Sequence, residues 1–228
     1  MTGVKKKIVS LLLVILTIFS LFTFSSCNRR FDEKEVVEAA KRLLKESEFL
    51  NQIYYGSGIR YYNSEEHKNG SYYRADDAHL TELGFSTIDE LKALTSKTFS
   101  HAYCENLYAS TLSSLKENGQ IVSVARYYQH TDNEKNESYI MVYSRFEPSL
   151  VDTIVYDYDS IKAEKSKKEN VFVSVKATIT NAEGKSQVVT LTINLIEEES
   201  GWRISSPTYA KYNELLDRYN ELKDQKLK

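Results

Sequence analysis

The sequence predicts an α+β protein in which two to three N-terminal helices pack on a strongly curved antiparallel sheet of about six strands, followed by a C-terminal helix. Two observations carry this prediction. Apolar residues recur at helical spacing before residue 117 and again after residue 209, and between residues 120 and 204 they alternate with polar residues. Helices first and a meander second is the element order of an α+β fold.

The clearest pattern runs from residue 170 to residue 207. Every second residue of its first half is apolar: Val171, Val173, Val175, Ala177 and Ile179. After the polar turn 181–184 the alternation resumes at Val189, Leu191, Ile193 and Leu195, so the two strands are expected to pair as a hairpin. A short strand at 202–204 and three strands at 121–128, 139–146 and 153–161 complete the predicted sheet. Its apolar face needs a cover, which the helices are expected to supply.

Helical spacing predicts the covering elements. Apolar residues at helical spacing from Val36 to Leu50 predict a first amphipathic helix that ends near Gly56. The spacing of Thr87 and Glu90, or that of Ser86 and Asp89 one residue earlier, is that of a capping box and begins a second short helix, and a third is expected over 100–116. Residues 56–84 follow no lasting period, and we expect an irregular segment with a short strand near 72–75. The final stripe, in 209–226, predicts a helix that packs on the domain or assembles with another chain.

The N-terminal residues predict where in the cell the chain is located. Residues 1–26 have a basic start and an apolar stretch from Ile8 to Phe24, as secretory signals do. The sequence Phe24-Ser25-Ser26-Cys27 resembles a bacterial lipobox, with Phe24 where leucine is usual. The resemblance implies cleavage before Cys27 and diacylation of its sulfur, which would anchor the chain in a membrane. An uncleaved N-terminal anchor is the alternative. Both place the chain from about residue 28 outside the cytoplasm.

The predicted domain resembles a known family. Helices followed by a bent sheet that closes on Gly201-Trp202-Arg203-Ile204 look like the cone-shaped fold of nuclear transport factor 2 and ketosteroid isomerase. Bacterial surface lipoproteins often carry this fold, and the inhibitors of cell-wall DL-endopeptidases are a looser analogy. We therefore predict four parts: a signal peptide at 1–26, a lipidated tether at 27–34, a nuclear transport factor 2-like domain at 35–207 and a C-terminal helix at 208–228.

Charge excludes one class of partner. The 228 residues carry a formal charge of −2, and removal of the three N-terminal lysines with the signal leaves about −5. A mildly acidic surface disfavours nucleic acid, because phosphate binding needs clustered Lys and Arg. The basic run 162–168 is interrupted by Glu164 and is typical of a solvated strand end.

The residues give little sign of catalysis. Family members that are enzymes use an Asp or His base inside the cone, and here Asp157 and Asp159 alternate with Tyr156 and Tyr158. The apolar register points the tyrosines inward, so both aspartates are expected to face solvent. Cys104 is expected to be a buried small hydrophobe, and the four histidines lack the spacing of a zinc site. We therefore predict no catalytic residue, metal site or cofactor, with weak surface calcium binding left open.

Tyrosine is the unusual component, with 17 residues against nine phenylalanines. Six of them form adjacent pairs in or beside the irregular segment: Tyr54 with Tyr55, Tyr61 with Tyr62, and Tyr72 with Tyr73. Tyrosine offers a large rigid contact surface with a hydroxyl group, which suits glycan or peptide binding. We predict that these six residues line a cleft or rim. The alternative is that they attach the segment to the sheet.

Together these observations favour a lipoprotein anchored to the membrane through Cys27 that binds or inhibits without catalysis. Its expected ligand is a cell-envelope protein or a peptidoglycan or other glycan. Two other functions are kept: a small-molecule carrier or isomerase-like or dehydratase-like enzyme with a pocket inside the cone, and a structural spacer that assembles through the C-terminal helix. The sequence makes no prediction of the oligomeric state.

Overall fold

The computed structural model describes residues 32–117, 120–148, 153–165 and 170–209. It confirms the α+β class, because the described part has three helices of eleven residues or more and two antiparallel four-stranded sheets. The chain divides into two compact units, and the second, Glu33–Lys228, contains all the elements described below. The predicted signal 1–26, Cys27 and the predicted helix over 209–226 lie outside the described residues, apart from Tyr209 itself.

Before residue 115, the described residues contain four α-helices. They are α1 (Glu33–Tyr54), α2 (Asp77–Leu83), α3 (Ile88–Thr98) and α4 (His101–Thr111). The predicted capping box is present at the start of α3, where the hydroxyl of Thr87 accepts from the amide of Glu90 and the Glu90 carboxylate accepts in return from the amide of Thr87. None of the helices in the described ranges combines the length and the apolar character needed to cross a membrane.

The described residues contain ten β-strands. They are β1 (Lys68–Asn69), β2 (Tyr72–Arg74), β3 (Leu115–Glu117), β4 (Gln120–Ser123), β5 (Tyr127–Asp132), β6 (Glu137–Tyr143), β7 (Thr153–Lys165), β8 (Asn170–Thr180), β9 (Ser186–Glu198) and β10 (Gly201–Ile204). The predicted hairpin is confirmed as β8 and β9, which pair without a shift of register. The short strand expected near 72–75 is also present.

The large sheet has the order β10-β9-β8-β7, and its inner face forms the core. Val173 and Val175 are 0% exposed, while Leu191 and Ile193 are 9% and 3% exposed, so the predicted inward register is confirmed. Helix α1 packs against β7 and β10 and buries Val36, Leu43, Leu44 and Leu50. A parallel bridge between Phe99 and Ile204 ties the junction of α3 and α4 to β10.

The prediction of a single sheet of about six strands differs from the observed topology. The described strands form two four-stranded sheets and a two-stranded ribbon of β3 and β4. The reason is the irregular segment, because its strand β2 pairs with β6 and places Tyr72 opposite Tyr143. The β5-β6 hairpin therefore belongs to a second sheet, of order β1-β2-β6-β5. The helix predicted over 100–116 is α4, and it ends at Thr111 rather than near residue 116, because Leu115 already belongs to β3.

Candidate functional site

The structure separates the six tyrosines that the sequence grouped together. Tyr54 lies in the core with 1% of its surface exposed, and its hydroxyl shares a 2.8 Å hydrogen bond with the hydroxyl of Thr95. Burial raises the pKa of Tyr54 above its usual value. The Tyr54 side chain cannot reach a ligand at the surface. Its contacts are those of a core residue, in line with the alternative that the tyrosine pairs have a structural role.

The other five tyrosines are half-buried but occupy different places. The ring of Tyr55 stacks on that of Tyr209 with 5.2 Å between centroids, and Tyr61 stacks on Tyr73 at 5.3 Å. The hydroxyl of Tyr62 accepts a 3.2 Å hydrogen bond from the amide of Asp77. These contacts attach the irregular segment to its neighbours. Tyr72 points to the opposite face of the second sheet from Tyr73, because adjacent residues of a strand alternate.

Tyr72 belongs to a larger set that we call the aromatic face. Its members lie on one side of the second sheet, since register partners share a face: Tyr72 is opposite Tyr143, and His130 is opposite Tyr139. Arg74 and Tyr128 are both opposite Met141, which is 2% exposed beneath them. The aromatic face consists of Tyr72, Arg74, Tyr128, His130, Tyr139 and Tyr143, and each of these side chains is half-exposed.

The rings of the aromatic face form a continuous row. The centroid of Tyr72 lies 5.2 Å from that of Tyr143 and 4.8 Å from that of Tyr128. The row continues from Tyr128 to His130 at 6.3 Å and from His130 to Tyr139 at 5.2 Å. Tilted and edge-to-face arrangements at these distances are favourable for aromatic pairs. The rings therefore support one another and form a rigid, partly exposed surface.

Polar groups lie along this row. The guanidinium of Arg74 sits 4.8 Å from the centre of the Tyr139 ring and donates a 3.0 Å hydrogen bond to Asp77, while its Nε has no protein partner among the described residues. The side-chain amide of Asn69 donates from Nδ2 to the Tyr128 hydroxyl at 3.3 Å. Partial burial raises the pKa values of Tyr72 and Tyr128. The Tyr72 hydroxyl already donates a 2.7 Å hydrogen bond to the carbonyl oxygen of Ala125 and is left as an acceptor, whereas the Tyr128 hydroxyl accepts from Asn69 and keeps its proton to donate.

Sequence reasoning missed most of this surface. It selected Tyr72, but Tyr128, Tyr139 and Tyr143 stood unremarked inside the predicted strands 121–128 and 139–146. A usable signal was present, because Tyr139, Met141 and Tyr143 recur at a spacing of two and must share one face of a strand. Arg74 carried no such signal, since its place on this face depends on the register between β2 and β6.

The residues weighed for catalysis lie elsewhere. Asp157 and Asp159 are exposed while Tyr156 is 6% exposed, so the predicted inward direction of the tyrosine is confirmed. Cys104 is 2% exposed, as predicted, and burial raises the pKa of its thiol, which opposes formation of a nucleophilic thiolate. Among the described residues, no group of three His, Cys, Asp or Glu side chains is placed to hold a metal ion.

Comparison with known proteins gives no assignment. No protein-family model matches the chain, and no curated protein matches its sequence. The functional argument therefore depends on the geometry of the molecule.

Proposed function

We propose that the chain is an extracytoplasmic lipoprotein, anchored through Cys27, whose folded domain binds a cell-wall glycan on the aromatic face without catalysis. The observation that carries this proposal is the continuous row of five rings from Tyr143 to Tyr139. We further propose that the domain is a nuclear transport factor 2-like fold in the wider sense. The packing of α1 on the inner face of the large sheet supports this assignment, and the second sheet would be an addition to it.

The geometry favours a long ligand with rings of its own. Four tyrosines supply flat apolar surface, and the aliphatic faces of sugar rings can stack on such surfaces. The hydroxyls of Tyr128 and Tyr143, together with Arg74, provide donors and acceptors beside the stacking surface. Because the row extends over several rings, it suits a polymer better than a single small molecule. The rings are already fixed by mutual contacts, so little entropy is lost when a ligand binds.

The test is a sedimentation assay with protein-free cell-wall sacculi and the full chain in mild detergent. Tyr128→Ala combined with Tyr143→Ala should weaken binding at least about tenfold, the loss of two stacking contacts. The matched control is Tyr61→Ala combined with Tyr73→Ala, which also removes two stacked tyrosines, one of them from β2 of the same sheet, but from outside the aromatic face. The control should bind like the wild type, and thermal unfolding of both variants shows whether each is folded.

Two results would overturn the glycan assignment. Equal binding by wild type and by the Tyr128 and Tyr143 variant would exclude the aromatic face as the surface. Failure to bind sacculi, combined with capture of an envelope protein that the same double variant loses, would replace the glycan with a protein partner.

The anchor needs a separate test. In a bacterial host, the chain should incorporate labelled palmitate and sediment with membranes, and Cys27→Ser should abolish the label. A wild-type chain that remains in the membrane fraction without label would favour the uncleaved anchor.

The two rival functions also have clear tests. A carrier or enzyme with its pocket inside the cone should lose ligand binding when the inner face is changed, yet Val173 and Val175 already fill that face with no exposed surface. A spacer should form oligomers in light scattering that disappear when residues 209–228 are deleted.

A further inference from the structure

A cavity that is separate from the aromatic face opens between α1 and α3, beside the turn into β10. Its volume is about 570 Å³, which is within the range of small-molecule sites. We call it the basic cavity and define it by its principal lining residues: Arg42, Lys45, Phe49, Leu94, Lys97 and Arg203. None of these residues belongs to the aromatic face, so the two sites can be tested independently.

The floor of the basic cavity is apolar. Phe49 is one of the few large hydrophobic side chains in the described residues that is exposed, at 37% of its surface. Leu94, half-buried on α3, and Leu50, buried on α1, also line the cavity. An exposed phenylalanine beside two leucines leaves apolar surface in contact with water, and a ligand with a hydrocarbon part would remove it from water.

The rim of the basic cavity is positively charged. Arg42, Lys45 and Lys97 are exposed, and the one carboxylate among the lining residues is that of Glu46. This carboxylate is already engaged, because it receives hydrogen bonds of 3.0 Å and 3.1 Å from Arg42 and one of 3.0 Å from the hydroxyl of Thr98. Within the described residues, the ammonium groups of Lys45 and Lys97 make no ion pair.

A fixed cation lies at the base of the basic cavity. The Arg203 side chain is 7% exposed, and its Nε and Nη1 donate to the carbonyl oxygens of Ser96 and Trp202 at 2.8 Å and 2.7 Å. Its Nη2 donates to the Ser200 hydroxyl at 2.7 Å. None of these acceptors is a carboxylate, so within the described residues these hydrogen bonds do not pair the guanidinium with an anion, and it adds a positive potential at the cavity.

The helical spacing places charge beside the apolar surface on both walls. On α1, Arg42, Lys45 and Phe49 are three and four residues apart and share one side of the helix. On α3, Leu94 and Lys97 are three residues apart. Each wall therefore offers an apolar side chain with a cation one turn away, which matches a molecule with an anionic head and a hydrocarbon chain.

We propose that the basic cavity binds a single-chain amphiphile with a carboxylate or phosphate head. The head contacts Lys45 and Lys97, and the chain lies on Phe49 and Leu94. A small inorganic anion would leave the apolar floor uncovered, and a neutral chain would leave the ammonium groups of Lys45, which lies 5.1 Å from the centre of the Tyr158 ring, and of Lys97 without an anionic partner. The same chemistry is found in free fatty acids, which have a carboxylate, and in monoalkyl phosphates and lysophospholipids, which have a phosphate.

The experiment is isothermal titration calorimetry on the full chain, with each probe below its micelle concentration. Dodecanoate and dodecyl phosphate should bind. Dodecanol and dodecylammonium, which lack the anionic head, should bind at least about fivefold more weakly because they cannot form the charge pairs. Inorganic phosphate should also bind at least about fivefold more weakly, because it has no hydrocarbon chain. Tighter binding of dodecanoate would identify the natural ligand class as fatty acids, and tighter binding of dodecyl phosphate would identify it as alkyl phosphates or lysophospholipids. Equal affinity would show that the cavity recognises any single-chain amphiphile with an anionic head.

Variants locate the site. Lys45→Gln combined with Lys97→Gln should weaken both anionic probes at least about fivefold and leave dodecanol unchanged. The matched control, Lys176→Gln combined with Lys185→Gln, removes two exposed lysines of the large sheet and its turn and should bind like the wild type. Phe49→Ser should weaken every probe that has a chain.

The proposal is overturned if the Lys45 and Lys97 variant, shown to be folded by its thermal unfolding, binds dodecanoate and dodecyl phosphate as the wild type does. It is equally overturned if dodecanol binds as tightly as dodecanoate, or if binding is seen only above the micelle concentration.

Discussion

The Nη2 atom of Arg126 donates a 2.7 Å hydrogen bond to the carbonyl oxygen of Gly56, just beyond the end of α1. The neighbouring Tyr127 hydroxyl donates to the carbonyl of Ile53 at 2.7 Å and accepts from the amide of Ile59 at 3.2 Å. Carbonyl groups at the end of a helix carry partial negative charge, which favours a cation. Arg126 is 3% exposed, so this contact between the residue before β5 and the segment just after α1 is a buried one.

Gly58→Ala should strongly destabilise the fold. Gly58 has φ +72°, and a Cβ there would collide with the Arg126 guanidinium and the Tyr127 hydroxyl. The backbone strain alone costs about 1 kcal/mol, and displacement of two buried side chains should raise the total to about 3 kcal/mol. Chemical denaturation of the purified variant measures the loss.

Gly70→Ala is the matched control for this prediction. Gly70 also has a positive φ, +62°, but no atom lies within 4 Å of its added Cβ. It should lose only the strain, about 1 kcal/mol. Equal losses in the two alanine variants would show that the contact with Arg126 and Tyr127 is unimportant.

Tyr127→Phe should lower the free energy of unfolding by about 2 kcal/mol, because the carbonyl of Ile53 and the amide of Ile59 lose a buried partner. Burial also raises the pKa of Tyr127 to about 12, so the wild-type hydroxyl remains a donor at every physiological pH. Tyr61→Phe removes a hydroxyl from a half-buried ring and should change the free energy by less than about 0.5 kcal/mol. A small effect at Tyr127 would contradict the role given to this hydroxyl.

Thr87→Ala should lower the free energy of unfolding by about 1 kcal/mol, because it removes the side-chain acceptor of the capping box at the start of α3. Ser96→Ala lies on the exposed part of the same helix and should stay within about 0.5 kcal/mol of the wild type. Urea unfolding followed by circular dichroism compares the two. A loss at Ser96 as large as that at Thr87 would refute the cap as the cause.

His79 should make stability fall in mild acid. Its Nδ1 accepts a 2.8 Å hydrogen bond from the amide of Arg60, and partial burial, aided by the Arg60 charge, lowers its pKa below the usual value. The unfolded chain therefore takes up this proton more readily than the folded chain. The contribution of His79 to the free energy of unfolding is fully present above about pH 6.5, the pKa of histidine in the unfolded chain. It is lost as the pH falls toward the lower pKa of His79 in the folded chain.

The measurement is the free energy of unfolding from about pH 8 to about pH 5, compared between wild type and His79→Gln. The wild type should lose more stability over this range than the variant, because the other three histidines are present in both. Parallel curves would show that the Arg60 contact does not depend on protonation.

Local patterns predicted the elements whose partners are near in the chain. The Thr87 capping box and the β8-β9 hairpin depend on residues a short distance apart, and both are present. The division into two sheets depends on the pairing of Tyr72 with Tyr143, which are far apart in sequence. A strand as short as β2 has almost no periodic signal, so its partner could not be chosen from alternation alone.

The candidate site shows the same limit. Adjacency drew attention to Tyr72 and Tyr73, yet in a strand two adjacent side chains point to opposite faces and cannot line one surface. Tyr54 was grouped with Tyr55, although its position one turn after Leu50 and Asn51 places it on the buried stripe of α1. Spacing by two in β5 and β6 was the better guide to the aromatic face.

The irregular register of β7 has a consequence for crowding. β7 is an outer strand of its sheet, and its register shifts between Asp157 and Lys162, where the Ser160 hydroxyl accepts from the amide of Lys176. A bulged margin bearing charged side chains is a poor template for a strand from a neighbouring copy. At high protein concentration, neighbouring copies should therefore not extend this sheet through β7.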